Sequence, residues 1–466
     1  MVTRRWLLGA ACAAILIAIL AARPLPTPGP LARDFEAYWS AGAAQNAGAD
    51  PYGRAIWSDE RRVPGVVASH DELLPFVGPP ATLWAWVLAA RWPYDAAARG
   101  WWVLLAVSLL ALVAVVLRGA GVAVTASDFT AGTLLAIAFA PISSDLALGQ
   151  LALPTFLGAC AVPVLADRSL AAAFACACLA FAQPNAALGL VSQLGRNRST
   201  LALLLATLAT YALGALAAGW AWPIAYAHVL VAHGAAERFV AIQFSPVAIA
   251  YGFGARAAAA IVIGVAIALI AIAACIAIAF RVRDRFARFA AFSALVPFVA
   301  GFVHEHDLVT AFGAALWCAR RTGGATRTLA LTGTLLAGVD WLGLAQRPTG
   351  VVQSLLLAVA AFVAFVALGG PAGYRGAAPA GVAVAALFTA LAFLAVSHPM
   401  PVWPDSLANF RAALGAPPAA VWLAEQRANG LLAAVPAWSL LRSASLLGCA
   451  VLALAIYRHS ACYRTA

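Results

Sequence analysis

Residues 257–280 read AAAAIVIGVAIALIAIAACIAIAF, a run that contains no charged side chain. A helix needs about 20 consecutive apolar residues to cross the hydrocarbon core of a bilayer, which is about 30 Å thick. The run meets that length without interruption. It therefore predicts a membrane-spanning α-helix.

The composition of the whole chain points the same way. Of 466 residues, 64% are hydrophobic and only 10% are charged, and the mean hydropathy is +0.90. An ordinary soluble domain carries about a quarter charged residues. We expect an all-α, polytopic integral membrane protein.

The net charge of +11 comes from Arg, because the sequence contains no Lys. Nucleic-acid binding requires basic residues clustered on a soluble face. Here the Arg residues occupy short connections between apolar runs, the pattern of membrane topology signals. We expect membrane lipids, and no nucleic acid, as partners.

Repeated apolar runs predict about twelve to fourteen transmembrane helices. The runs are 6–22, 73–91, 100–118, 129–147, 150–166, 170–190, 200–220, 257–280, 289–303, 307–319, 328–345, 351–369, 378–396 and 436–456. Pro141, Gly149, Gln150 and Pro154 interrupt region 118–168, which leaves one re-entrant pair as an alternative to two full spans there.

Alternation from a cytoplasmic N-terminus, marked by Arg4 and Arg5, gives the orientation. It places five basic connections in the cytoplasm: GRNRS (195–199), RVRDRFAR (281–288), RRTGGATR (320–327), GYRG (373–376) and YRHSACYR (457–464). The regions 23–72, 220–256, 304–306 and 397–435 then face outward. Three of these are long, and long loops on a rigid scaffold commonly carry function.

We treat residues 1–466 as one membrane domain in a bacterial inner membrane, with its site on the periplasmic face. Its parts are an uncleaved first helix (6–22), a first outer loop (23–72), a set of spans over 73–320, and a C-terminal set over 321–466. The outer loop 397–435 within the last set predicts one or two amphipathic interfacial helices.

Two acids stand immediately outside the first span, Asp34 and Glu36 in LARDFEAYWSAGAAQNAGADPYG (31–53). Capping of a helix that opens at this point is one explanation for them. For Glu36 that explanation and a functional one stay open. For Asp34 the surrounding sequence favours function.

That surrounding sequence resembles the family 87 glycosyltransferases, polyprenyl-phosphate-mannose-dependent α-mannosyltransferases and their bacterial relatives with the GT-C fold. The resemblance rests on Asp34, Tyr38, Ala41, Gly48, Pro51 and Tyr52, on the helix opening at Pro79 and Pro80, and on LGQLALPTFLGA (148–159), FAQPNAALGL (181–190) and GFVHEHDLVT (301–310). Gln183 departs from the Lys that the family often has.

The resemblance implies a membrane hexosyltransferase with a polyprenyl-phosphate sugar, mannose by expectation, as its donor. A lipid or glycan on the outer face would be the acceptor, and the reaction would invert the anomeric centre in a single displacement. Asp34 would act as the catalytic base that takes the acceptor's proton. Residues implied as substrate-binding are Glu36, Tyr38, Tyr52, Gln150, Arg256, His304, His306 and Asp307.

The segment HEHD (304–307) joins two predicted spans on the outer side. On a helix, His304 and Asp307 share a face and Glu305 points away from it. We expect His304 or His306 to donate to the donor's phosphate or sugar, and a polar cap at the membrane interface is the alternative. The spacing matches no zinc signature, so we expect no cofactor, and a divalent metal is the less favoured alternative.

Other polar residues have two explanations each. Arg238 and Arg256 are suited to bind a lipid phosphate or to anchor the chain at the interface, and Arg33 is placed to pair with Asp34. Gln150 and Asn185 are suited to line a donor groove or to join two helices.

Two other functions remain open. A transporter or lipid flippase would place ionisable residues near the middle of several spans, whereas most acids here lie at span edges, with Asp145 and Asp340 as exceptions. A non-catalytic subunit on the same scaffold is the third, and the presence of Asp34 argues against it.

Overall fold

The chain folds into helices joined by short connections, without a β-strand among the residues that the structure describes. The structure is a computed structural model, and it describes residues 11–15, 32–121, 124–347, 350–369, 377–413 and 415–462. Residues 11–15 are helical, and the rest of the predicted first helix 6–22 lies outside the described residues. The all-α prediction is confirmed for the part described.

The helices of the first half are α1 (Phe35–Asn46), α2 (Ile56–Glu60), α3 (Leu83–Ala89), α4 (Tyr94–Gly119), α5 (Ala126–Ile137), α6 (Ala140–Leu148), α7 (Ala152–Leu165), α8 (Leu170–Ala180), α9 (Pro184–Leu188), α10 (Asn197–Ala218) and α11 (Trp222–Glu237). Those of the second half are α12 (Pro246–Gly252), α13 (Ala257–Arg281), α14 (Arg285–Leu295), α15 (Phe312–Arg321), α16 (Gly324–Gly338), α17 (Trp341–Gln346), α18 (Val351–Leu368), α19 (Ala377–Ser397), α20 (Pro418–Ala428) and α21 (Pro436–Cys462). Short 3₁₀ segments include Glu305–Ala311, which holds the HEHD acids.

Five helices in the described residues are long and apolar enough to cross a bilayer: α4, α10, α13, α18 and α21. Helix α13 is the least buried of them, and it exposes large apolar side chains such as Val262, Leu269 and Phe280. Water does not tolerate an apolar surface of this extent, whereas lipid tails match it. These helices support the prediction of a membrane protein.

Region 118–168 is broken, as its Pro and Gly residues indicated. Helices α5 and α6 would together be long enough to span, but they meet at an angle of 70°. Pro141 lies in the first turn of α6, where its missing N–H is tolerated. The predicted span 129–147 is therefore a bent pair, in line with the re-entrant alternative.

The described residues contain fewer spanning helices than the twelve to fourteen predicted for the whole chain. The predicted spans 150–166, 170–190, 289–303 and 307–319 contain α7, α8, α14 and α15, which are 14, 11, 11 and 10 residues long. Helix α15 is almost wholly buried against other helices. A hydropathy profile does not distinguish a helix buried in protein from one buried in lipid, and several of these apolar runs form the protein's own core.

Basic connections from different parts of the sequence meet in the fold. Arg196 Nη2 donates to Arg283 O at 3.3 Å, and Arg198 and Arg285 both contact Asp167. The connections 195–199 and 281–288 thus lie together, as their assignment to one side of the membrane requires.

The predicted first outer loop is folded rather than extended. Helices α1 to α3 pack around an apolar cluster of their own that includes Phe35, Trp57 and Trp86. Helices α1 and α3 approach so closely that a Cβ on Gly42 would lie 2.1 Å from Trp86 O. The region 397–435 covers this layer through α20, whose Glu425 accepts the N–H of Leu73.

Candidate functional site

A cavity of about 1080 Å³ opens between the layer formed by α1 to α3 and the helices packed beneath it. Six of the predicted site residues line it: Asp34, Tyr38, Gln150, His304, His306 and Asp307. They come from three stretches of sequence that span some 270 residues. Their convergence on one cavity makes it the candidate site.

Asp34 lies immediately before α1, and the chain around it is fixed by the end of α6. Its backbone N–H donates to Leu148 O at 2.8 Å. Gly149 next to it has φ of +76°, and a Cβ there would lie 2.4 Å from Ala32 Cβ. Only glycine fits both this backbone conformation and this space. The turn places Gln150 against Asp34.

The side chain of Asp34 makes no capping bond to α1, although the residue occupies the N-cap position. Instead Gln150 Nε2 donates to Asp34 Oδ2 at 2.5 Å, and Tyr38 O–H donates to Gln150 Oε1 at 2.7 Å. Helix capping therefore does not account for the Asp34 side chain. The hydrogen bond from Gln150 instead holds the Asp34 carboxylate at the lining of the cavity.

Burial raises the pKa of Asp34 above its ordinary value, while His306 and the hydrogen bond from Gln150 act against that shift. A carboxylate in such surroundings is a stronger base than one in water. Arg33 contributes little here, since its guanidinium pairs with Glu72 at 3.2 Å and lies over the ring of Trp403. Arg33 therefore pairs with Glu72, and not with Asp34 as the sequence suggested.

Glu36 is not among the residues that line the cavity. It is 1% exposed, and neither of its oxygens has a hydrogen-bond partner in the described part of the chain. Burial and then the neighbouring Glu72 raise its pKa well above the ordinary range. Residues at i and i+2 of a helix diverge, which explains why Asp34 and Glu36 face different surroundings.

Tyr52 and Arg256 also lie outside the cavity lining. Tyr52 O–H donates to Gly78 O at 2.6 Å, a bond that closes the loop ahead of α3. Arg256 precedes α13 on the exposed surface. Arg238, which follows α11 directly, does line the cavity, as does Asn185.

The HEHD segment forms a tight, reciprocally capped turn. The N–H of His304 donates to Asp307 Oδ2 at 2.9 Å, and the ring of His304 accepts the N–H of Asp307. Gln183 Nε2 donates to Asp307 Oδ1 at 2.7 Å, and Thr155 O–H donates to Gln183 Oε1 at 3.0 Å. Gln183, where the resembled family often has Lys, therefore serves to fix Asp307.

Glu237 is a site residue that sequence reasoning did not identify. It ends α11, lines the cavity and is 1% exposed. His233 Nε2 lies 3.2 Å from Oε1 and His304 Nε2 3.1 Å from Oε2, and these two rings hold the pKa of Glu237 well below its ordinary value despite burial. The i, i+4 spacing of His233 and Glu237 was visible in the sequence, but their position beside His304 was not.

Burial and the neighbouring Glu237 carboxylate act in opposite directions on the pKa of His304. Burial lowers its pKa, but the Glu237 carboxylate outweighs burial and raises the pKa to about 9. The N–H of Asp307, in contrast, requires a lone pair on the ring and so stabilises the neutral form. His306 differs, because burial lowers its pKa below the ordinary value.

Ligand atoms of His304, His306 and Asp307 lie within 4.8 Å of one another. Two imidazoles and a carboxylate would suit a transition metal. However, Glu237 and the N–H of Asp307 already occupy the ring of His304. Both oxygens of Asp307 likewise accept hydrogen bonds, from Gln183 and from the N–H of His304. Of the three side chains only His306 is uncommitted, whereas typical zinc sites have at least three protein ligands.

A second polar wall faces the same cavity. Glu305 lies within hydrogen-bonding reach of Asp340 and Ser144, and burial followed by Asp340 raises its pKa well above the ordinary range. The rest of the lining is largely apolar, with Leu230, Ile261 and Leu357 contributed by α11, α13 and α18. The cavity thus joins polar groups to the apolar faces of two membrane-length helices.

Comparison with known proteins gives no relative for this chain. No family model matches it, and no curated protein and no solved structure matches it either.

Proposed function

We propose that the protein is a membrane glycosyltransferase, a hexosyltransferase that moves a sugar, mannose by expectation, from a polyprenyl phosphate to an acceptor on the outer face of a bacterial inner membrane. The observation that carries the proposal is the position of Asp34 in a large cavity with both polar and apolar walls. A lipid-linked donor has a charged, hydroxyl-rich head and a hydrocarbon tail, and both parts find matching walls here.

The tail would lie along the apolar wall, where Ile261 of α13 and Leu357 of α18 reach the cavity from helices long enough to span the bilayer. The phosphate would lie near Arg238 and the HEHD turn. Guanidinium and imidazole groups are suitable donors to a phosphate. The head group would then be held beside Asp34.

In this scheme Asp34 accepts the proton of the acceptor hydroxyl while that oxygen bonds to the anomeric carbon. The bond from the anomeric carbon to the phosphate oxygen breaks, and polyprenyl phosphate leaves with the electron pair. Burial suits Asp34 to the task by raising its proton affinity. Gln150 and Tyr38 hold the carboxylate towards the cavity.

Transfer from a synthetic polyprenyl phosphate-mannose to crude membrane acceptors tests the proposal. Asp34→Asn should lower the rate at least about 100-fold, the usual contribution of a positioned base. Glu60→Gln is the matched control, since it makes the same carboxyl-to-amide change at a buried acid that does not line the cavity. Undiminished transfer by Asp34→Asn would rule out Asp34 as the base, and an EDTA arm tests for a required ion.

Transport is the second candidate, and two observations favour it. The α5–α6 pair is a discontinuous helix, and the Glu305–Asp340 pair lies in the cavity. Both features occur at the binding sites of transporters. Uptake of a polyprenyl-phosphate sugar or an ion into proteoliposomes, with no transfer from any polyprenyl-phosphate sugar in detergent, would favour this function over the first.

A further inference from the structure

The turn that carries HEHD is anchored to the segment between α11 and α12. Gln243, fully buried, accepts the N–H of Val303 through Oε1 at 2.7 Å, and its amide nitrogen contacts both Glu237 and His304. The N–H of Phe244 donates to Val303 O at 2.7 Å. The backbone just before His304 is therefore held by the segment between α11 and α12.

Glu237 is the centre of this anchor. Besides His304 and Gln243 it receives His233 from its own helix and the indole N–H of Trp422 from α20, at 2.6 Å. A buried carboxylate with this many donors is satisfied and fixed in place. Its orientation determines which nitrogen of His304 faces it, namely Nε2.

The ring of His304 is consequently engaged by the protein itself. Its Nε2 faces Glu237 and Gln243, and the ring also accepts the N–H of Asp307. Protonation of the ring would leave the first contact in place. A carboxylate that orients a histidine in this way is a common supporting arrangement in functional sites.

His306 is in the opposite situation. It is 7% exposed and lines the cavity, yet within the described residues its ring has no hydrogen bond. Its Nε2 lies 4.0 Å from Asp307 Oδ2, which is too far for one.

We propose that Glu237 is a positioning residue that locks His304 into the scaffold of the turn, and that His306 is the histidine of this segment that contacts the ligand beside Asp34. The ligand would be the phosphate-bearing head group, and that part rests on the proposed function. The division of roles between the two histidines rests on geometry alone.

Residue-resolved modification by diethyl pyrocarbonate tests the division without any need for activity. The reagent acylates accessible, unprotonated imidazole nitrogens, and fragment mass spectrometry distinguishes His304 from His306. The His304 side chain is 23% exposed and that of His306 9%, but Glu237, Gln243 and the N–H of Asp307 engage the ring of His304, whereas the ring of His306 has no hydrogen bond within the described residues. On the full chain in detergent micelles at pH 7, His306 should therefore react faster than His304 despite its lower exposure. His228, which is exposed on α11, is the internal reference.

Glu237→Gln should release His304 and raise its modification rate towards that of His306. Faster modification of His304 than of His306 in the wild type would overturn the proposal. So would a His304 rate that Glu237→Gln leaves unchanged.

Paired variants then separate positioning from contact. His306→Asn should leave the thermal midpoint within about 1 °C of wild type and lower kcat for transfer at least tenfold. His304→Asn should lower the thermal midpoint, because it loses the contact with Glu237. The reverse pattern would contradict the proposal. If the wild type transfers no sugar at all, the proposed function fails, and the modification rates still decide the roles of the histidines.

Discussion

Gln150 Nε2 donates a hydrogen bond to Asp34 Oδ2 at 2.5 Å, across 116 residues of sequence. The same amide accepts the O–H of Tyr38, so its orientation is fixed. Gln150 therefore stabilises the ionised form of Asp34 from a fixed position.

Replacement of Gln150 by Met should weaken Asp34 as a base at low pH. The bond from Gln150 stabilises the ionised carboxylate and lowers the pKa of Asp34, so its loss raises that pKa further. The acidic limb of kcat/KM should move to higher pH, and activity at neutral pH should fall about tenfold, the value of one hydrogen bond to a charged group. A pH–rate profile with an unmoved acidic limb would contradict this.

Gly42→Ala should disrupt the layer that positions Asp34. The new Cβ would lie 2.1 Å from Trp86 O, which is backbone and has no rotamer by which to move away. We expect α1 and α3 to separate, with a loss of about 3 kcal/mol or more and a strongly reduced thermal midpoint. Gly100→Ala is the control, because nothing lies within 4 Å of its Cβ on α4, and it should be neutral or stabilising.

Glu425→Gln should stabilise the protein at alkaline pH. Burial raises the pKa of Glu425 to about 9 from an ordinary value of 4.5. The folded protein therefore holds a proton that the unfolded chain releases above pH 4.5, so stability falls as pH rises from 4.5 to 9. Gln removes that loss and keeps the oxygen that accepts the N–H of Leu73.

The thermal midpoint of Glu425→Gln should exceed that of wild type by about 2 °C or more at pH 8, and the two should converge near pH 4.5. Asp405→Asn, on the exposed surface, should show no such difference. An equal rise in the thermal midpoint at both pH values would show that the gain comes from packing and not from the proton that Glu425 holds.

Trp422→Phe should destabilise the protein, because Trp422 of α20 donates a hydrogen bond to Glu237 in the site. The substitution removes a donor from the buried Glu237 carboxylate while it keeps an aromatic ring next to Trp403. We expect a loss of about 1.5–3 kcal/mol, measured as a lower thermal midpoint. Trp84→Phe removes an indole bond to Leu213 O on the exposed surface, and its midpoint should change by much less.

Sequence patterns located much of the site in advance. Asp34, Tyr38 and Gln150 were identified on residues that resemble a family, and HEHD on its concentration of titratable groups in a chain with few acids. All of these residues line one cavity. Glu36, Tyr52 and Arg256 did not join them, because short-range sequence neighbours on helices and turns point in different directions.

By itself the sequence determined the helical, membrane-embedded character of the protein, since runs of apolar residues leave a backbone few other ways to satisfy its polar groups in lipid. It also determined where α6 must end, because Gly149 tolerates a positive φ. Tertiary structure alone decided which apolar helices face lipid and which form the core. It alone joined Glu237 to His304 and Gln183 to Asp307, because hydrogen bonds between distant segments depend on packing, which no local pattern encodes.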